Sequence, residues 1–240
     1  MGNATKTGMN RTGMQMAPMQ GPMQTKFAAQ QGPAPGSMDD AIAERIAYIE
    51  SADRLGSVPL PATGKGLLTT AAGKITGHNP EVLIDKLGQR LAYERSGVRL
   101  YEAMIVKVQA DRDDRNTPLR TDLIKIRNEE EAHFHLLAEV ITSLGADPTA
   151  QTPGADVSAM AALGLVQVLT DPRTTIPQSL EALLTAELTD HASWELLAEL
   201  AKQQGHDELA ARFAEPLAAE ARHMATIQHW LRDWLARDAA

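Results

Sequence analysis

Four stretches of this sequence carry apolar residues in alternating steps of three and four, and each stretch places carboxylates inside its own apolar line. Between residues 79 and 110 the line is Ile84, Leu87, Leu91, Glu94, Val98, Tyr101, Ile105 and Val108. After Thr117 and Pro118 it is Leu119, Leu123, Ile126, Glu130, His133, Leu137, Val140 and Leu144. A third runs through Ile176, Leu180, Leu183, Glu187, Asp190, Trp194, Leu197 and Ala201, and a fourth through Leu209, Phe213, Pro216, Glu220, His223, Ile227, Trp230 and Trp234. Such spacing keeps one helix face turned toward a shared core. It predicts four long helices packed side by side, the second opened by Pro118 and stopped by Gly145. Pro216 removes a hydrogen bond to the Arg212 carbonyl and predicts a kink one turn before Glu220.

The two halves repeat each other. Glu94 maps onto Glu187 at an offset of 93 residues, and Glu130 and His133 map onto Glu220 and His223 at an offset of 90. Tyr101-Glu102 likewise maps onto Trp194-Glu195. A duplicated helix pair is the economical explanation.

One glutamate in one seam would be read as a misplaced register or a group snorkelling at the edge. The same pattern on four helices has no such explanation. Burying these acids and imidazoles uncompensated costs several kcal/mol per ion, more than the stability margin of a domain. Positive charge is therefore expected among them. In Glu-x-x-His the two side chains lie at i and i+3, so a carboxylate oxygen and an imidazole nitrogen converge on one point. The chain has no Cys, which excludes thiolate sites and leaves His and carboxylates as strong ligands. Hard oxygen donors with imidazole suit iron or manganese rather than a copper thiolate or calcium site.

The ordered set Glu, Glu-x-x-His, Glu, Glu-x-x-His at seam positions resembles the ferritin-like superfamily over residues 80–236. Within it the chain looks most like small stand-alone bacterial ferritin-like or rubrerythrin-like proteins without a rubredoxin domain. The resemblance implies an all-α fold, a ferritin-like four-helix bundle with a long crossover between the second and third helices. It implies Glu94, Glu130, His133, Glu187, Glu220 and His223 as metal ligands, with Glu130 and Glu220 bridging and each His terminal. The implied cofactor is two iron ions, with manganese as the alternative. Tyr101, seven residues beyond the first Glu, is implied to bond a ligand carboxylate and is the candidate catalytic residue. A plain core aromatic is the competing reading, since Trp194 fills the equivalent place. Asp190 reads as an additional ligand or a hydrogen-bond partner of a ligand His. His191, His135 and Glu129 lie one step off their seams and read as solvated groups or groups behind the ligands. His78, His206 and His229 have no convergent partner and read as structural or surface residues.

Residues 1–38 contain six Gly, four Pro, five Gln and seven Met, too little apolar bulk to offset ordering, and predict a flexible tail. Residues 39–78 predict a short extra helix through Ile42, Ile46 and Ile49 followed by loop, with a helical turn or two near Leu67 to Ile75; the bundle takes residues 79–240. The stretch from Ala146 to Thr175 reads as the crossover, extended chain with a short apolar piece from Val157 to Leu169. The net charge of −8 is concentrated outside the tail, whose only charges are Lys6, Arg11 and Lys26, and an acidic body argues against nucleic acid. Apolar runs of four or five residues are far below the roughly 20 of a membrane span, and no secretory signal pattern is present, so no membrane partner and a cytoplasmic location are expected.

The expected function is that of a di-iron oxidoreductase of the peroxide-reducing or ferroxidase type. Its partners would be O₂ or H₂O₂, an external electron donor, and a second copy in a homo-oligomer, expected to be a dimer. The alternatives are iron binding and storage, a di-metal oxygenase acting on an organic substrate, and a metal kept for stability alone.

Overall fold

The computed structural model describes residues 7–9, 13, 17–32, 36–64, 66 and 79–240. The expected helical turns near Leu67 to Ile75, and His78, lie outside the described residues. The chain divides into an N-terminal unit, Ala4–Leu55, and a larger one, Gly56–Ala240.

The N-terminal unit holds α1 (Gln20–Gln30) and α2 (Met38–Ser51). Helix α1 forms where composition predicts a tail without structure. Gln, Met, Lys and Ala are good helix formers, and they outvote Gly21 and Pro22 near the start. The extra helix is α2, opened by a capping box in which Ser37 Oγ accepts from the Asp40 amide while Asp40 accepts from the Ser37 amide.

The larger unit is all-helical among the described residues: α3 (Pro80–Ala110), a 3₁₀ turn (Asp114–Asn116), α4 (Thr117–Ser143), α5 (Pro153–Thr170), α6 (Ile176–Gln203), α7 (Asp207–Arg212) and α8 (Ala214–Ala239). Helices α3, α4, α6 and α8 form the four-helix bundle. Gly145 takes φ +82° after α4, the left-handed stop expected there. The fourth seam is broken rather than gently kinked. Helix α7 ends at Arg212, whose carbonyl Pro216 cannot serve, and α8 starts at Ala214.

The crossover is a helix, not extended chain. Thr152 caps α5 by accepting from the Ala155 amide, and Pro153 stands in its first turn. Asp85 of α3 accepts from the Gly154 amide at 2.7 Å, and at the other end Lys107 Nζ donates to the carbonyls of Asp171 (3.0 Å) and Thr174 (3.1 Å). Both ends of the crossover are thus tied to α3. With 18 residues and a mean hydropathy of 1.2, α5 is long and apolar enough to cross a membrane by length and composition. Counting apolar runs misses this, because Ser158, Gly164 and Gln167 interrupt the runs while Ala, Val and Leu raise the average.

The bundle interior is layered. One apolar layer gathers around Leu100, Met104, Leu123, Leu180, Leu183 and Ile227. The other gathers around Leu83, Leu87, Leu137, Val140, Leu197 and Phe213. The polar seam residues occupy the level between them. Tyr101 closes that level from the first layer and Trp194 from the second.

Candidate metal centre

Glu94 on α3, Glu130 and His133 on α4, Glu187 and Asp190 on α6, and Glu220 and His223 on α8 meet at this level, none more than 3% exposed. Their potential ligand atoms form three overlapping groups, each within 4.8 Å: Glu130, Glu187, Glu220 and His223; Glu94, His133 and Glu220; and Glu94, Glu130, Asp190 and Glu220. Glu220 belongs to all three, and Glu130 to two. His133 Nδ1 stands 2.9 Å from Glu220 Oε1 and 3.6 Å from Glu94 Oε2. His223 Nδ1 stands 3.2 Å from Glu220 Oε2, 3.4 Å from Glu130 Oε1 and 3.7 Å from Glu187 Oε2. One Glu220 oxygen therefore faces each imidazole.

The two single glutamates are held by the opposite half of the repeat. Tyr101 donates to Glu187 Oε1, while Trp194 Nε1 donates to Glu94 Oε1 at 2.8 Å. Each aromatic lies one heptad beyond its own glutamate and anchors the other one. The sequence pairing of Tyr101 with Trp194 thus has a structural meaning. Each bond occupies one carboxylate oxygen and leaves its sister free: Glu94 Oε2 and Glu187 Oε2 are buried and accept no hydrogen bond, as are both oxygens of Glu130.

Gly97 explains how Glu130 fits. A Cβ added there would collide with Glu130 Oε2 and stand 3.0 Å from its Cδ. The absence of a side chain is the space the Glu130 carboxylate fills. In the second half the equivalent position is Asp190, and the repeat loses its symmetry.

Two contributors stand outside the expected ligand set. Arg90, 2% exposed, donates to Glu94 Oε1 from Nε (3.0 Å) and Nη2 (2.8 Å), and Nη2 also pairs with Asp190 Oδ1 at 2.7 Å. Its guanidinium packs over the ring of Tyr93 at 4.7 Å and near Trp194 at 5.8 Å. The signal for Arg90 was its i, i+4 relation to Glu94, but an arginine beside an apolar seam reads as a surface group. Glu129, one step off its seam, stands 2.6 Å from His223 Nε2. It takes up the nitrogen that faces away from the carboxylates. His135, His191, His206 and His229 join none of the groups.

The electrostatics follow from crowding acids in a dry core. Burial, reinforced by the neighbouring Glu220 charge, pushes the carboxyl groups of Glu130 and Glu187 well above the usual range. Burial also raises Asp190, with Arg90 opposing it. Burial alone would lower His133, but the facing carboxylates of Glu220 and Glu94 outweigh it and push the imidazole up to about 10. Burial would raise Glu220, yet the bonds from His133 and His223 hold it at about 2. For Arg90 the charges of Asp190 and Glu94 overcome burial, so the guanidinium stays charged.

The donor set fits a pair of divalent cations. Among the described residues the cluster's carboxylates meet one permanent cation, Arg90, and that cation is committed to Glu94 and Asp190. Uncoordinated oxygens of Glu94, Glu130 and Glu187 converge on the two Nδ1 atoms with no proton donor of their own.

The sequence model of the ferritin-like domain family matches residues 85–235. No curated protein matches the chain. Among solved structures the fold is similar to that of a protein from Bacillus anthracis str. Ames described as ferritin like, diiron-carboxylate. The identity is 23% and the TM-score 0.50, over 62% of this chain and 94% of that one. At that identity the likeness speaks for the fold, which agrees with the bundle and crossover described above. With the family model spanning more than half of its residues, the chain belongs to the ferritin-like family.

Proposed function

We propose that this protein is a dinuclear, di-iron carboxylate protein that reacts with O₂ or peroxide, an oxidoreductase of the peroxidase or ferroxidase type. The observation that carries the proposal is the set of buried carboxylate oxygens without proton donors around His133 and His223. Glu94, Glu130 and His133 would hold one ion and Glu187, Glu220 and His223 the other. Glu94 and Glu187 each have one oxygen committed to protein donors and would ligate through the second. Glu130, with both oxygens free, and Glu220, with one oxygen toward each His, would be the two bridging carboxylates. Two iron ions bound there would supply the electrons that reduce O₂ or peroxide.

The protein's own groups set the conditions for that chemistry. Glu129 fixes His223 so that Nδ1 points inward. Arg90 pairs with Asp190 Oδ1, so Asp190 would act as a positioning partner of the centre through Arg90 rather than as a seventh ligand. Tyr101 holds Glu187 and keeps a hydroxyl proton at the centre's edge, its own ionisation opposed by burial and by the Glu187 charge. The chain has no Cys for a second redox group, so an external donor would supply the electrons, and the protein would work as a homodimer in the cytoplasm.

Two predictions arise here. Metal binding needs neutral imidazole and ionised carboxylates, whereas in the metal-free centre the facing carboxylates push His133 up to about 10 and burial raises Glu130. Protons must leave as ions enter. Calorimetry of Fe(II) or Mn(II) binding in buffers of different ionisation heat should show more than one proton released per chain. Affinity should fall as the pH is lowered; binding without proton release contradicts this picture of the centre. The second prediction concerns Gly97→Ala, which displaces the Glu130 carboxylate and should weaken metal binding by about tenfold or more. Competition with a chelator measures it, and an unchanged affinity would mean that Glu130 is not a ligand.

Turnover is tested by reducing the iron-loaded protein anaerobically, adding one equivalent of H₂O₂, or O₂ in a separate sample, and following the ferrous-to-ferric absorbance change through repeated cycles. Stoichiometric oxidation that repeats with added reductant supports the enzyme. Accumulation of oxidised iron far beyond two ions per chain, without re-reduction, replaces it with storage.

A further inference from the structure

Beside the centre, on the outer side of Arg90, a cavity of about 450 Å³ opens between α3, α5 and α6. Its size is that of a site for a small organic molecule. The walls are aliphatic: Val82 of α3, Val157 and Ala161 of α5, and Leu196 and Leu200 of α6. Val82, Val157 and Leu196 are 40%, 52% and 65% exposed, so an apolar body entering the cavity would cover aliphatic surface that the fold leaves open.

The charges around it are of one sign. Lys86 and Arg90 line the cavity and no acidic residue does, in a molecule of net charge −8. Arg90 is spent on Glu94 and Asp190. Lys86 is not: its Nζ donates to Gln89 Oε1 at 2.8 Å, and no described carboxylate pairs with it. Gln89, Ser158, Thr189 and Ser193 add hydrogen-bonding groups. The wall formed by α5 is held in place, since Asp85 and Lys107 tie both its ends to α3.

We infer that this cavity binds a free amphipathic anion, an apolar chain or ring with a carboxylate-like head, the body against α5 and α6 and the head at Lys86. The inference concerns a site separate from the metal ligands and stands whether or not the centre turns over.

The test uses the full chain and dodecanoate below its micelle-forming concentration, with dodecanol and dodecylammonium as the uncharged and cationic counterparts. Calorimetry should show one saturable dodecanoate site per chain, with dodecylammonium at least tenfold weaker. Lys86→Glu, at an exposed position, should weaken dodecanoate by about tenfold and leave dodecanol unchanged. Ala161→Phe, which fills the cavity from an exposed position on α5, should weaken both. Circular dichroism of each variant checks that it folds. The inference is overturned by any of four results: no saturable binding, equal binding of all three chains, variants that bind like the parent, or association only with anionic vesicles. It is also overturned if the chain is a dimer that Ala161→Arg splits, because a second copy then covers the cavity.

Discussion

Arg90→Met should destabilise the metal-free protein by about 3–5 kcal/mol, the usual effect of removing one partner from a buried ion pair. The guanidinium is the permanent positive charge that the cluster's carboxylates meet among the described residues. Without it Asp190 loses its cation and Glu94 Oε1 keeps a single donor, Trp194. Methionine fills much of the volume, so the loss reports charge rather than a cavity. Urea unfolding of the full chain without metal measures it. Arg90→Met with Asp190→Leu should recover part of the loss, because the orphaned acid leaves with its partner. If Arg90→Met alone unfolds at the parent's denaturant concentration, Arg90 does not hold this cluster together.

Glu220→Ala should take the protein from about two bound ions per chain to one at most, with Glu130→Ala behaving alike, since each is expected to bridge. Glu220 has the stronger case. Its two oxygens face His133 and His223 separately, and it is common to every convergent group of ligand atoms. His229→Ala is the control, an exposed residue whose ring is tilted against that of Trp230 and which belongs to none of the groups. Metal analysis after dialysis separates the outcomes. Equal metal loss in Glu220→Ala and His229→Ala would mean that the seams do not define the site.

The seams were legible because burial leaves a period. On α4, α6 and α8 nearly every residue in the expected line is buried, and Leu144 and Leu209 at the ends are the half-buried exceptions. On α3 part of the line is displaced. Leu87, Leu91, Glu94, Tyr101 and Val108 lie inside, but Ile84, Val98 and Ile105 are half-buried; Leu83, Gly97 and Met104 take their places, and Arg90 is buried beside Leu91. Two parallel apolar lines ran along that helix, and hydrophobicity chose the one without an arginine and a glycine. Those two residues shape the centre: Arg90 balances its charge, and Gly97 makes room for Glu130. A charged residue can be recognised as core only once its partners are in place, and Asp190 sits 100 residues further along the chain. The same reason hid the role of Glu129, whose meaning depends on His223 across the bundle. The helix in the crossover escaped for a different reason, since Pro148, Pro153, Gly154 and Pro172 flank it and read as loop, although Pro153 is a helix start.

The most direct measurement is an anaerobic Fe(II) titration of the metal-free full chain, with metal analysis of the product and its native mass. The account predicts saturation at about two ions per chain, lost in Glu220→Ala and retained in His229→Ala. Saturation below one ion per chain, or unchanged binding in Glu220→Ala, would contradict a dinuclear centre built from these seams.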